Sequence, residues 1–136
     1  MILEGTIRLP FSYAAGGIGT QFLIALRDEQ RILGARCESC STVTCPARPF
    51  CSQCHAAVTD LIEVGPAGTV VARTETPGKG VFGLIRLDGA NTAILHRLVG
   101  PVDQWRRGAR VSAVFAEERT AGINDIEGFV IEGDQP

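Results

Sequence analysis

A chain of 136 residues with 45% hydrophobic and 21% charged side chains and a net charge of −2 makes one domain or two very small ones. That apolar content excludes intrinsic disorder, and the near-neutral charge argues against nucleic acid as the partner, because its binders carry a basic footprint. Sixteen Gly and seven Pro supply more turn chemistry than a helical bundle carries. No run approaches the roughly 18 apolar residues of a membrane span. The start, Met1 to Arg8, lacks a basic segment followed by an apolar one, so no secretory signal is read there. The expectation is a cytoplasmic protein whose thiols stay reduced. All 13 basic residues except Lys79 are arginine, which favours forked contacts to carboxylate or phosphate.

The first 13 residues hold a short alternating run, Ile2 to Leu9, stopped by Pro10, which reads as an edge strand or as an arm lying on a partner. After a flexible Tyr13–Thr20 turn, Ile18, Phe22, Ala25, Leu26 and Leu33 recur near helical period. With Thr20 as cap and Gly34 as stop, residues 20–33 read as one amphipathic helix. Residues 35–56 hold the cysteines and few large apolar side chains, so this stretch needs a staple. From Leu61 the pattern turns to short β-rich runs: 68–75, 81–87, 92–99, 110–116 and 127–131. Asp88-Gly-Ala-Asn91 between the second and third is a hairpin signal. Five strands at this spacing suit a small barrel the size of an OB-fold. The predicted organisation is an arm and helix (1–34), a four-cysteine ribbon (35–60) and an OB-fold (61–136), mainly β overall.

Cys37-Glu-Ser-Cys40 and Cys51-Ser-Gln-Cys54 are two hooks with ten residues between them. Such spacing lets four thiolates converge tetrahedrally on one ion, at about 2.3 Å each for zinc. Cys37, Cys40, Cys51 and Cys54 are therefore the predicted ligands of one structural Zn2+, with iron in a rubredoxin-like site as the other metal. Four protein ligands close such a site and leave no catalytic position. A redox dithiol is the rival, but no thioredoxin-like βαβ pattern surrounds either hook. Hooks of this kind favour glycine after the second cysteine, where the backbone tends to positive φ. Here Ser41 and His55 follow, at a conformational cost. Cys45 reads as a small buried apolar residue, and His96, in mid-strand, as structural.

Several phrases together carry a resemblance. They are the helix leading into Cys37, the Pro46-Ala-Arg48-Pro49 segment between hooks, Gly68-Thr-Val70, and Leu98-Val-Gly100 followed by Trp105-Arg-Arg-Gly108-Ala-Arg-Val111. They resemble the small thiolase-associated proteins built from a rubredoxin-like zinc ribbon and an OB-fold, over about residues 20–131. The aromatic and glycine stretch Phe11 to Gly16 is similar to one branch of that family. The resemblance implies a non-catalytic subunit of a thiolase-like enzyme, sometimes accompanied by an acyl-CoA hydratase or dehydrogenase. It also implies a CoA ester near the shared interface, for which Lys79, Arg106, Arg107 and Arg110 are the candidate phosphate contacts.

The alternative is a nucleic-acid-binding ribbon and OB-fold protein. It requires a basic groove with stacking aromatics. Residues 61–136 instead carry eight basic against ten acidic side chains. Asp28-Glu29 and Glu117-Glu118 are adjacent pairs that read as solvated surface rather than a catalytic dyad.

Overall fold

The computed structural model describes residues 1–132. Residues 1–15 form neither helix nor strand and are exposed along their length. One helix follows, α1 (Gly16–Glu29), then eight strands: β1 (Ile32–Arg36), β2 (Val43–Thr44), β3 (Asp60–Val64), β4 (Ala67–Thr76), β5 (Gly80–Leu87), β6 (Ile94–Leu98), β7 (Arg110–Phe115) and β8 (Ile126–Ile131). The end of the predicted barrel segment, residues 133–136, lies outside the described residues.

The helix begins and ends four residues earlier than the periodicity predicts. Thr20 lies inside it, and Ala15 at its start offers no side-chain cap. Gln30 stops it in a left-handed conformation (φ 52°), with its N–H bonded to the Ala25 carbonyl. Leu33 and Gly34 are strand residues, not helix end and stop. The reason is pairing: β1 is the central strand of a three-stranded sheet ordered β2-β1-β3, antiparallel on both sides. Gly34 is needed there for room, since a Cβ would come within 2.7 Å of Val43 Cγ1. The buried face of α1, Phe22, Ala25 and Leu26, packs on this sheet.

Strands β4 to β8 close a barrel in the order β4-β5-β6-β8-β7, with β7 returning to β4. The first three form an antiparallel meander, and β6 meets β8 in parallel at Leu98 and Phe129. This is the strand arrangement of an OB-fold, and its five strands fall where the β-rich runs are. Val70, Val81, Ile85, Leu87, Leu98, Val111, Ile126 and Phe129 fill the interior. Their alternation with exposed residues along β5 and β6 is the two-residue period of strands whose outer face meets solvent. Trp105, in the connection before β7, is fully buried. Among the described residues no helix is long and apolar enough to cross a membrane.

The β5–β6 turn does more than reverse the chain. Val43 N–H donates to Asn91 Oδ1 (2.8 Å) and Asn91 N–H to the Val43 carbonyl (2.9 Å). Cys45 N–H donates to Thr92 Oγ1 (2.9 Å), whose hydroxyl donates back to the Cys45 carbonyl (3.0 Å). These four bonds clamp the cysteine-bearing sheet to the barrel. The Asp-Gly signal identifies the turn, but nothing local in the sequence marks its second role.

Candidate metal centre and outer barrel face

The first hook leaves β1 and returns as β2; the second lies in the loop between β2 and β3. Each hook uses the same backbone pattern. Cys37 N–H donates to the Thr42 carbonyl, and Ser41 N–H to the Cys37 carbonyl. Cys51 N–H donates to the Ala56 carbonyl, and His55 N–H to the Cys51 carbonyl. Ser41 and His55 have φ of 62° and 63°, so both occupy the left-handed position that glycine prefers. The conformational cost expected from the sequence therefore falls on those two residues.

The hooks bring four sulfurs together. Cys37, Cys40, Cys51 and Cys54 place all their Sγ atoms within 4.8 Å of one another. Cys37 and Cys54 stand 3.5 Å apart, as do Cys40 and Cys51. Tetrahedral thiolates at about 2.3 Å from zinc lie about 3.8 Å from each other, so the cluster fits such an ion. Cys37 and Cys51 are buried, while Cys40 and Cys54 face outward.

The electrostatics favour thiolate on the first hook. Cys40 is lowered to about 6, chiefly by the Thr42 hydroxyl and then its backbone N–H. Cys37 is lowered too, mainly by the Cys40 backbone N–H. At Cys54 the Ala56 N–H favours the charged form, but Cys37, burial and the other thiols push it up to about 11. Four thiolates this close repel one another, and a dication is the charge that relieves the repulsion. Gln53 N–H adds a donor to Cys51 Sγ at 3.4 Å. Cys45 stands apart from the cluster, buried and pushed up to about 12 by desolvation, as a small apolar residue behaves.

The cationic candidates separate into two places. Arg106, Arg107 and Arg110 line one shallow hollow with Gln104, Gly108 and Glu132. Arg110 is already engaged, with a two-pronged pair to Asp88 (2.6 and 2.9 Å) and further bonds to Glu132 and Thr69. Arg107 Nε reaches the Val71 carbonyl at 3.4 Å. Lys79 sits on the β4–β5 turn, beyond the far end of β4 from Thr69, the strand partner of Arg110. At about 3.3 Å per residue that is roughly 20 Å away or more. The fold does not bring Lys79 to the arginines.

His96 is buried at the barrel wall. Its Nδ1 accepts the Arg97 N–H (2.9 Å), which leaves Nε2 to donate to the Ile123 carbonyl (3.3 Å). Its ring meets Phe129 edge-on at 5.7 Å, and burial holds its pKa below 6.5. Both nitrogens serve structure, as its mid-strand position suggests. Outside the wall, strands β4 to β6 present Ala72, Phe82, Leu84 and Leu95 along an apolar groove. Leu84 and Leu95 are cross-strand partners, 40% and 62% exposed. Exposed apolar side chains gathered on one face mark a contact surface.

The comparisons agree with this geometry. Residues 25–60 match the ChsH2-type rubredoxin-like zinc ribbon domain. Two solved structures share the fold of the longer chain. One is a chain of an Ltp2–ChsH2(DUF35) aldolase, 24% identical, with a TM-score of 0.59 over 74% of this chain and 85% of that one. The other is a DUF35-family protein of unknown function from Sulfolobus solfataricus, solved at 1.80 Å, 21% identical, with a TM-score of 0.62 over 85% and 84%. No curated protein matches the chain.

Proposed function

We propose that this chain is a non-catalytic accessory subunit of a thiolase-type complex that makes or cleaves a carbon–carbon bond in an acyl-CoA. The observation that carries the reading is the joint presence of ribbon and barrel, matched over 74% of the chain by a component of an Ltp2–ChsH2(DUF35) aldolase. Cys37, Cys40, Cys51 and Cys54 hold one Zn2+ as a structural clip, which fixes the ribbon against the barrel and leaves no open position for chemistry. The barrel contributes the docking face. Leu84, Leu95 and Phe82 line an apolar groove beside Arg73 and Thr74, as an interface core with a polar rim requires. Arg106 and Arg107 meet the phosphates of the CoA ester if it reaches this chain, with Arg110 fixing their loop through Asp88 and Glu132. An acyl-CoA hydratase or dehydrogenase joins the same cytoplasmic assembly.

The test is affinity purification from the native host with metal analysis. The expected result is a thiolase-like chain at fixed stoichiometry and one zinc per copy. Leu95→Asp is expected to lose the partner and keep the zinc. Recovery of nucleic acid that high salt removes, with no enzyme chain, overturns the proposal in favour of the nucleic-acid reading.

A further inference from the structure

The exposed arm has the pattern of a strand without a sheet. Leu3, Ile7, Leu9, Phe11 and Tyr13 occupy odd positions, with Gly5 completing the series. Glu4, Thr6, Arg8, Pro10 and Ser12 occupy the even ones. This is the two-residue alternation of a half-buried strand. Yet Leu3, Ile7, Leu9, Phe11 and Tyr13 are each at least 71% exposed. The barrel is closed and offers no edge, so a strand can be added at the ribbon sheet.

The pairing around β1 shows which backbone groups that sheet leaves open. Val43 turns its N–H and C=O to Asn91. Its neighbour Thr44 therefore faces β1 and pairs with Ala35. Backbone groups alternate sides along a strand, so Ile32, Gly34 and Arg36 face β3, opposite Val64, Ile62 and Asp60. The N–H and C=O groups of Leu61 and Glu63 then point away from β1, along the outer edge. Among the described residues no backbone group bonds them.

We propose that the arm of one chain adds to this β3 edge in a second copy, antiparallel and reciprocally, forming a two-fold dimer. Proline fixes the phase. Pro10 has no N–H, and a proline is tolerated on an added strand only where its nitrogen faces outward. The odd residues then turn their backbone groups to β3, and Leu9 pairs with Leu61 and Ile7 with Glu63. The same register puts Arg8 diagonal to Asp60, beside the Arg36–Asp60 ion pair (2.7 Å). The apolar row Ile7, Leu9 and Phe11 falls on the side of the ribbon sheet that carries Leu33, Ala35 and Leu61. A reciprocal exchange uses both free edges and closes, as two-fold interfaces do. Strand addition of this kind takes its affinity from main-chain bonds and its register from alternate side chains.

Analytical ultracentrifugation of the zinc-loaded full chain, without any enzyme partner, tests the pairing. A dimer is expected at tens of micromolar. Deletion of residues 2–12 and Leu9→Asp each raise its dissociation constant about tenfold or more. Leu61→Pro does the same from the other side, because it removes an N–H that the arm uses and β1 does not. Glu63→Pro takes its place if Leu61→Pro loses zinc. A chain that stays monomeric to about 100 micromolar, a dimer indifferent to loss of the arm, or one indifferent to a zinc-loaded β3 proline overturns the proposal. Enzyme capture by the barrel face is read separately, in the purification experiment above.

Discussion

The ribbon and the barrel solve the same folding problem by different means. The barrel interior holds Ile85, Leu87, Ile126 and Phe129, all essentially inaccessible to water. The ribbon between β1 and β3 buries smaller groups: Val43, Cys45, Ala47, Cys51 and Val58. Burial of a large aliphatic or aromatic side chain stabilises by about 1.5–3 kcal/mol, so the barrel is held by packing. The ribbon lacks that resource, and four sulfurs drawn around one point supply a metal site instead. The difference teaches that cysteine spacing and hydrophobic periodicity are alternative answers to one shortage, and that a chain can switch between them within a few residues. The clamp from Asn91 and Thr92 joins the two regions, so that loops on one have a fixed address on the other.

The strongest way to break the contrast is to remove a metal ligand. Cys37→Ser is expected to abolish zinc binding and unfold the ribbon, because metal binding contributes on the order of 10 kcal/mol in small ribbons. Cys45→Ser keeps the zinc. Metal content of the purified variants checks both, and equal loss in the two would undo the ligand assignment. The converse change is Phe129→Ala, which should cost the barrel about 3–5 kcal/mol while metal content stays at one per chain. Denaturant unfolding with parallel zinc analysis reads it. The clamp comes next. Asn91→Ala leaves the Val43 N–H without its side-chain acceptor and should cost about 1–3 kcal/mol. Faster hydrogen exchange at Val43 and Cys45, with unchanged exchange in β7 and β8, is the expected signature. The smallest effect is a gain. Ser41→Gly and His55→Gly remove a left-handed strain of about 1 kcal/mol each. Thermal melting of the zinc-loaded protein should rise by a few degrees, and a fall in both variants would contradict the strain account.

Much of this was legible because the chemistry is local. Two Cys-x-x-Cys hooks state their own geometry, and the alternation along β5 and β6 is a two-residue signal that needs no partner to be read. The positive φ at Ser41 and His55 followed from what a hook demands of the next residue. The helix end departs from the apolar periodicity because it depends on distant residues. Leu33 and Gly34 continue an apolar pattern, but pairing with β3 and the closeness of Val43 decide that they are strand. The clamp at Asn91 and Thr92 and the engagement of Arg110 by Asp88 and Glu132 were illegible for the same reason. Each joins residues more than twenty positions apart. Asp125 differs: it is buried and accepts the N–H groups of Thr120, Ala121 and Gly122, three to five positions away, yet no periodicity or motif marks it. In the sequence it is one more acidic residue.

Trp105, the single tryptophan, lies buried in the barrel and reports on one region while metal release reports on the other. The decisive measurement is chelator titration, with released zinc and Trp105 emission followed together. If the two regions are held by separate means, zinc leaves and amide protection is lost between β1 and β3. Trp105 emission then stays that of a buried indole. Emission that shifts to that of exposed tryptophan in step with zinc release would contradict the account, because the barrel would then owe its fold to the same metal.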